Sequence, residues 1–197
     1  MDARVAVEAG QLSNFWDDVV KKFGPREDVI NIPGAPSITN KYIDYLESRV
    51  LKPYLSRSEG KTVLDVGTGI GRWASVLAEK AAHVVGIDIS REMIKIAKRR
   101  VNRPNVDLLL ATAYAIPLGS NSVDLSLSCT CIQHIVDSDK QQESLREITR
   151  VTTNTILLLE LMSKSSPTKL THYPTLIAPR VQYISTLKAL SVKSIID

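Results

Sequence analysis

The segment Val63-Leu64-Asp65-Val66-Gly67-Thr68-Gly69-Ile70-Gly71-Arg72-Trp73 passes from an apolar, β-branched run through three alternating glycines into a helical pattern. Glycines in such a turn admit positive φ and let a ligand approach the backbone without meeting a Cβ. Asp88 follows Gly71 by seventeen residues, at the end of the next apolar run. A carboxylate there accepts hydrogen bonds from both hydroxyls of a ribose, so the two features together predict a nucleoside site. The spacing is G-x-G-x-G and not the G-x-G-x-x-G that frees helix N–H groups for a pyrophosphate. Asp65, just before the turn, would repel a pyrophosphate and attract an ammonium. The expected ligand is therefore a nucleoside with a positively charged amino-acid tail.

Such a turn needs a parallel sheet beneath it. From Thr62 onward, short β-branched runs alternate with helical patterns, as in βαβ units. Strands are expected at Thr62 to Val66, His83 to Ile87, Val106 to Leu110, Val123 to Ser128, Thr155 to Leu161 and Val192 to Ile196. Helices are expected near Arg72 to Ala81, Glu92 to Val101, Lys140 to Val151 and Pro179 to Leu190. Ser90 suits an N-cap, and Asp137 to Asp139 supply caps for the helix that follows. The strands are apolar on both faces, which is expected where helices cover both sides of a sheet. Ahead of the first strand, helices near Gln11 to Phe23 and Asn40 to Tyr54 flank a Pro/Gly-bearing loop. Residues 1–58 read as a helical cap or lid, and residues 59–197 as one compact unit.

The chain has 197 residues, 44% hydrophobic and 23% charged, the balance of one globular domain with a sizeable core. No apolar stretch is long enough to span a bilayer, so the expectation is a cytoplasmic protein with no membrane association. Cys129 and Cys131 are the only cysteines, and strand geometry sends their side chains to opposite faces. A disulfide and a zinc site are both disfavoured, and no metal is expected. A net charge of +4 permits RNA as a partner without requiring it.

Leu64-Asp65-Val66-Gly67-Thr68-Gly69-Ile70-Gly71 resembles motif I of the class I S-adenosylmethionine-dependent methyltransferases. Val84-Val85-Gly86-Ile87-Asp88-Ile89-Ser90, followed by Met93, resembles their second motif. Ala111-Thr112-Ala113-Tyr114-Ala115-Ile116-Pro117-Leu118 and Ser122-Val123-Asp124-Leu125-Ser126-Leu127-Ser128 resemble the third motif and the fourth strand. The most similar group is methyltransferase type 11. The resemblance implies an α/β, Rossmann-like, doubly wound and mostly parallel sheet. It also implies S-adenosyl-L-methionine as cofactor, held by Asp65, Gly67, Thr68, Gly69, Gly71, Asp88, Ile89, Thr112, Ala113 and Cys129. Two positions depart from the family. Thr112 stands where an Asp usually accepts from the adenine amino group, and its hydroxyl is the weaker acceptor. The chain stops at Asp197, within or just after a sixth strand. Either the family's seventh strand is absent, leaving an edge for a partner or a second copy, or the sequence is truncated.

Arg72 resembles an arginine that takes the methionine carboxylate in methyltransferases acting on protein N-terminal amines. Trp16 is the aromatic expected over the sulfonium, where cation–π attraction is favourable; Phe15, Tyr42 and Tyr45 read more readily as packing residues. Trp73 is expected in the core beneath the turn. His134, in the loop after the fourth strand, is either a general base or a pocket residue. Cys129 and Cys131 read as small core residues and not as nucleophiles. The implied activity is methyl transfer to an N or O acceptor on a small molecule, sugar or peptide. RNA methylation, or an inactive cofactor-binding partner subunit, are the alternatives.

Overall fold

The structure is a computed structural model and describes residues 9–24, 32–164, 166–170 and 175–190. Five parallel strands form the central sheet: β1 (Thr62–Val66), β2 (His83–Asp88), β3 (Val106–Leu110), β4 (Val123–Cys129) and β5 (Thr152–Leu159), in the order β3-β2-β1-β4-β5. The chain runs outward from β1 to β3, then crosses back to β4 and β5. This reversal opens a crevice at the C-terminal ends of β1 and its neighbours, the place where such sheets bind ligands.

Strand alternation divides the core into two layers. Leu64, Val66, Val85 and Ile87 pack with Ile132, Leu145 and Ile148. Val63, Val84, Leu125 and Leu127 pack on the other side with Trp73, Leu77, Leu51 and Leu55. Trp73 therefore lies in the core, as expected. Helices α3 (Arg72–Leu77), α4 (Arg91–Arg100), α5 (Ser138–Val151) and α6 (Arg180–Ala189) surround the sheet, while α1 (Ala9–Phe23) and α2 (Ser37–Leu55) precede it.

Several boundaries differ from the sequence expectation for identifiable reasons. Helix α3 stops at Leu77 because the chain tightens: the N–H groups of Glu79 and Lys80 reach back only three residues, to Val76 and Leu77. Helix α5 runs into β5 without a loop, so β5 starts at Thr152. Its Thr152 hydroxyl is buried against Ser126 Oγ, 2.6 Å away. A small antiparallel hairpin of β6 (Thr168–Leu170) and β7 (Thr175–Ile177) was not expected. The strand expected at Val192 to Ile196 lies outside the described residues.

Candidate functional site

The glycine turn takes its shape from what surrounds it. Gly67, at φ 69°, sits against the loop after β4, where an added Cβ would lie 2.3 Å from Cys131 Sγ. Gly71, at φ 81°, starts α3 against Val101, and a Cβ there would come within 2.5 Å. The Thr68 N–H donates to the Ile87 carbonyl at 2.9 Å, which joins the turn to β2. Asp65 accepts the Thr68 hydroxyl at 2.6 Å and is only 1% exposed. Burial raises its pKa to about 6. It lies behind the turn, beneath Thr68. Gly71 lies off the wall, because its role is to turn the chain into α3.

Asp88 is on the wall. One carboxylate oxygen accepts the Gly69 N–H and the other the Ser90 N–H, each at 2.8 Å. Burial raises this pKa also to about 6, against the opposing effect of those two donors. Gly67, Thr68, Gly69 and Ile89 line the cavity beside it. Thr112 and Ala113 line the next stretch, with Tyr114 beyond. The Thr112 and Tyr114 hydroxyls are neighbours, both buried, and neither has a partner of hydrogen-bonding geometry. Their loop is clamped from α5: the Ile116 N–H donates to Glu147 at 2.9 Å, and Arg150 donates to the carbonyls of Ile116 and Leu118 at 3.1 and 2.9 Å.

The far wall carries Trp16, Cys129 and His134. Trp16 meets the His134 ring edge to face at 5.0 Å, and His134 Nδ1 lies 3.0 Å from the Thr175 hydroxyl on β7. Burial pushes both cysteine thiols well above their ordinary range, which removes the thiolate a nucleophile needs. Glu160 organises the loop beneath. Its carboxylate accepts the Ser128 hydroxyl at 2.7 Å and the N–H groups of Cys131, Ile132 and Gln133 at 3.1 to 3.2 Å. Nothing in the local sequence around Glu160 marks it, since its partners lie about thirty residues earlier and are met only through strand pairing. Gln141 adds a second tether, donating to the Ile132, Ile135 and Leu176 carbonyls.

The first two helices are pinned to this cavity by polar contacts. Ser13 Oγ donates to the Ile89 carbonyl at 3.0 Å, and Asp17 accepts the Ser90 hydroxyl at 2.5 Å and the Glu92 N–H at 3.1 Å. Arg72, expected at the methionine carboxylate, reaches the cavity wall. Its two amino groups are held by Asp44 and Glu47 of α2, and its guanidinium stacks on Trp73 at 4.7 Å. Tyr42 and Tyr45 point away from the site, 60% and 53% exposed, and Phe15 touches the site only through the edge of Trp16.

Residues 63–155 match a family model described as a methyltransferase domain. The demethylmenaquinone methyltransferase of Paenarthrobacter aurescens (strain TC1) is 26% identical over 140 residues, which is 71% of this chain and 51% of that protein. Phosphoethanolamine N-methyltransferase 2 of Caenorhabditis elegans is 28% identical over 147 residues, 73% of this chain and 33% of that protein. The chain thus spans about half the length, or less, of these curated relatives. Among solved structures, Haemonchus contortus phosphoethanolamine N-methyltransferase 1, in complex with phosphoethanolamine and S-adenosylhomocysteine, superposes with a TM-score of 0.70 at 25% identity. The match covers 96% of this chain and 41% of that one.

Proposed function

Because residues 63–155 make this chain a member of the class I S-adenosylmethionine-dependent methyltransferases, we propose that it transfers a methyl group from S-adenosylmethionine to a nitrogen or oxygen of a small-molecule acceptor. The observation that carries this reading is the joining of the glycine turn to Asp88 by the Gly69 N–H at the mouth of the parallel sheet. Asp88 keeps lone pairs for the two ribose hydroxyls, and the glycines keep Cβ atoms out of the path of the methionine chain. The buried hydroxyls of Thr112 and Tyr114 supply polar partners for adenine in place of the family's carboxylate. Residues 1–58 act as the cap of the cavity and residues 59–197 as the cofactor-binding unit.

The sulfonium supplies an activated methyl with a good leaving group. The protein's task is to align the acceptor, exclude water and remove one proton. Alignment can lower the barrier by about 7 to 11 kcal/mol, whereas general-base help contributes about 10² to 10⁴ in rate, so the shape of the cavity dominates. Trp16 closes the cavity from α1, and His134 stands where it can take the proton of a hydroxyl acceptor. A cytoplasmic location fits the two unpaired cysteines.

Two relatives are named for demethylmenaquinone and phosphoethanolamine, which supports a small molecule over RNA. Incubation with methyl-labelled cofactor and separated RNA, protein, lipid and metabolite pools tests this. Label is expected in the lipid or metabolite pool. Label confined to RNA would overturn the acceptor class, and cofactor binding without label in any pool would identify a non-catalytic partner subunit.

A further inference from the structure

Helix α2 has its polar side turned inward. Asn40 brackets the Ile32 backbone, accepting its N–H at 2.6 Å and donating to its carbonyl at 3.2 Å, while Asp44 and Glu47 hold Arg72. Leu51 and Leu55 are the fully buried apolar residues of this helix. The opposite side presents Ile38, Tyr42, Leu46 and Val50, four residues at successive i, i+4 positions, with Tyr45 beside them. All five are exposed, Ile38 to 73%. Burying Glu47 and turning Asp44 toward Arg72 while exposing an apolar stripe reverses the usual arrangement of a surface helix.

The charges on the exposed side are of one sign. Lys41, Arg49 and Lys52 accompany the stripe, and Arg57 follows in the next turn, all of them exposed. The two carboxylates of the helix are engaged by Arg72. A second copy of the chain is a poor occupant, because a two-fold contact through this stripe would set the same cations against each other, while the helix's two carboxylates lie on its other side, held by Arg72. RNA is the poorer occupant, since three of the five exposed side chains, Ile38, Leu46 and Val50, have no π face on which a base can stack, and the Tyr45 face is taken by Arg49. An anionic, apolar partner satisfies both properties at once.

We propose that the outer side of α2 docks on an anionic lipid surface. The helix lies in the plane of the headgroups, with the apolar stripe entering the boundary of the acyl region and the lysines and arginines meeting lipid phosphates. Docking of this kind needs no spanning segment, and no described helix is long and apolar enough to cross a membrane. Arg72 lines the cavity while its partners sit on the inner side of α2. The docked side is therefore about one helix diameter, roughly 10 Å, from the cavity wall. A docked chain would hold its cavity next to the bilayer. The inference does not depend on the reaction that the cavity performs.

Flotation of the full chain with vesicles tests the proposal. Phosphatidylcholine vesicles containing about one third phosphatidylglycerol are expected to carry the protein, and raising salt from about 0.05 to 0.5 M should release most of it. Phosphatidylcholine alone should retain at least about tenfold less. The double variant Leu46→Glu with Val50→Glu should lose the binding while keeping the wild-type melting temperature and S-adenosylhomocysteine affinity, since both side chains face outward. Three results would overturn the proposal: no flotation with anionic vesicles, flotation that the double variant retains, or a dimer or RNA complex of the wild type that the double variant abolishes without any vesicle binding.

Discussion

At Asp88 one carboxylate oxygen holds the Gly69 N–H and the other holds the Ser90 N–H, so the residue shapes the turn and the start of α4 before a ligand arrives. Replacing it with alanine removes the acceptor for the ribose as well. Hydrogen bonds to a charged group contribute about 1.5 to 3 kcal/mol each, so Asp88→Ala should weaken S-adenosylhomocysteine binding about tenfold to a few hundredfold by calorimetry. Affinity within twofold of wild type would leave Asp88 a purely structural residue. The pH dependence follows from the raised pKa of about 6. The ribose hydroxyls need the ionised form, so affinity should be flat above about pH 7 and fall toward tenfold per unit below 6. Stability runs the other way. A carboxyl whose folded pKa is raised binds extra protons in the folded state, so its contribution is present at low pH and is lost as pH rises through about 6. Asp65 shares this value but sits behind Thr68; an Asp88→Asn variant that keeps the wild-type profile would transfer the effect to Asp65. Trp16 and Thr175 fix the His134 ring on the wall, and the proposed role as base is separable from binding. His134→Ala should leave the S-adenosylmethionine Kd within a few-fold and lower kcat by about 10² or more. The reverse pattern would make it a wall residue.

The loop after β4 depends on Glu160 at the end of β5. Thr130 has a φ of 52°, unfavourable for a β-branched residue, and the loop keeps this shape while three successive N–H groups converge on one carboxylate. Glu160→Ala would leave these donors without an acceptor, a loss on the order of 2 to 4 kcal/mol measurable in urea unfolding. Glu160→Gln should recover only part, because its amide group turns a donor toward donors. A loss below about 0.5 kcal/mol would mean that water replaces the carboxylate without cost. This tether shows what the sequence makes legible and what it hides. Strands β1 and β3 are readable to the residue, β1 because Gly60 and Gly67 bracket its β-branched run and β3 because Pro104-Asn105 precede its apolar run. The Ser90 cap is equally visible, because its partner Met93 is three residues away. Asp17, which accepts the Ser90 hydroxyl, is seventy-three residues from it and carries no local mark. The partners of Arg72 are hidden for the same reason: its carboxylates come from α2, twenty-eight and twenty-five residues earlier. The β6–β7 hairpin went unseen because three-residue strands are too short to display a period of two.

At the scale of the whole molecule, the sheet and α1 are held differently. Strands β1 and β4 are buried on both faces in apolar layers, whereas α1 meets the rest along one side only, with Leu12, Trp16 and Val20 as apolar contacts and Ser13 and Asp17 as polar ones. A single helix packed on one side, with half-buried polar pins, has less to lose on opening than a sheet buried on both faces, so α1 should open at lower free energy than the sheet. Amide hydrogen exchange is expected to be fast in α1 and slow in β1 and β4. A ligand lodged between the glycine turn and Trp16 binds only the closed form. At one hundred times its Kd, S-adenosylhomocysteine should stabilise the fold by about 2.7 kcal/mol, a rise of about 5 to 10 °C in melting temperature for a chain of this size. The same ligand should slow exchange in α1 together with the turn, and Trp16→Ala should reduce the protection in α1 while leaving that of the turn. Slowed exchange at residues 67–71 with α1 unchanged would show that the helix is no part of the site, and that the cavity closes without its first wall.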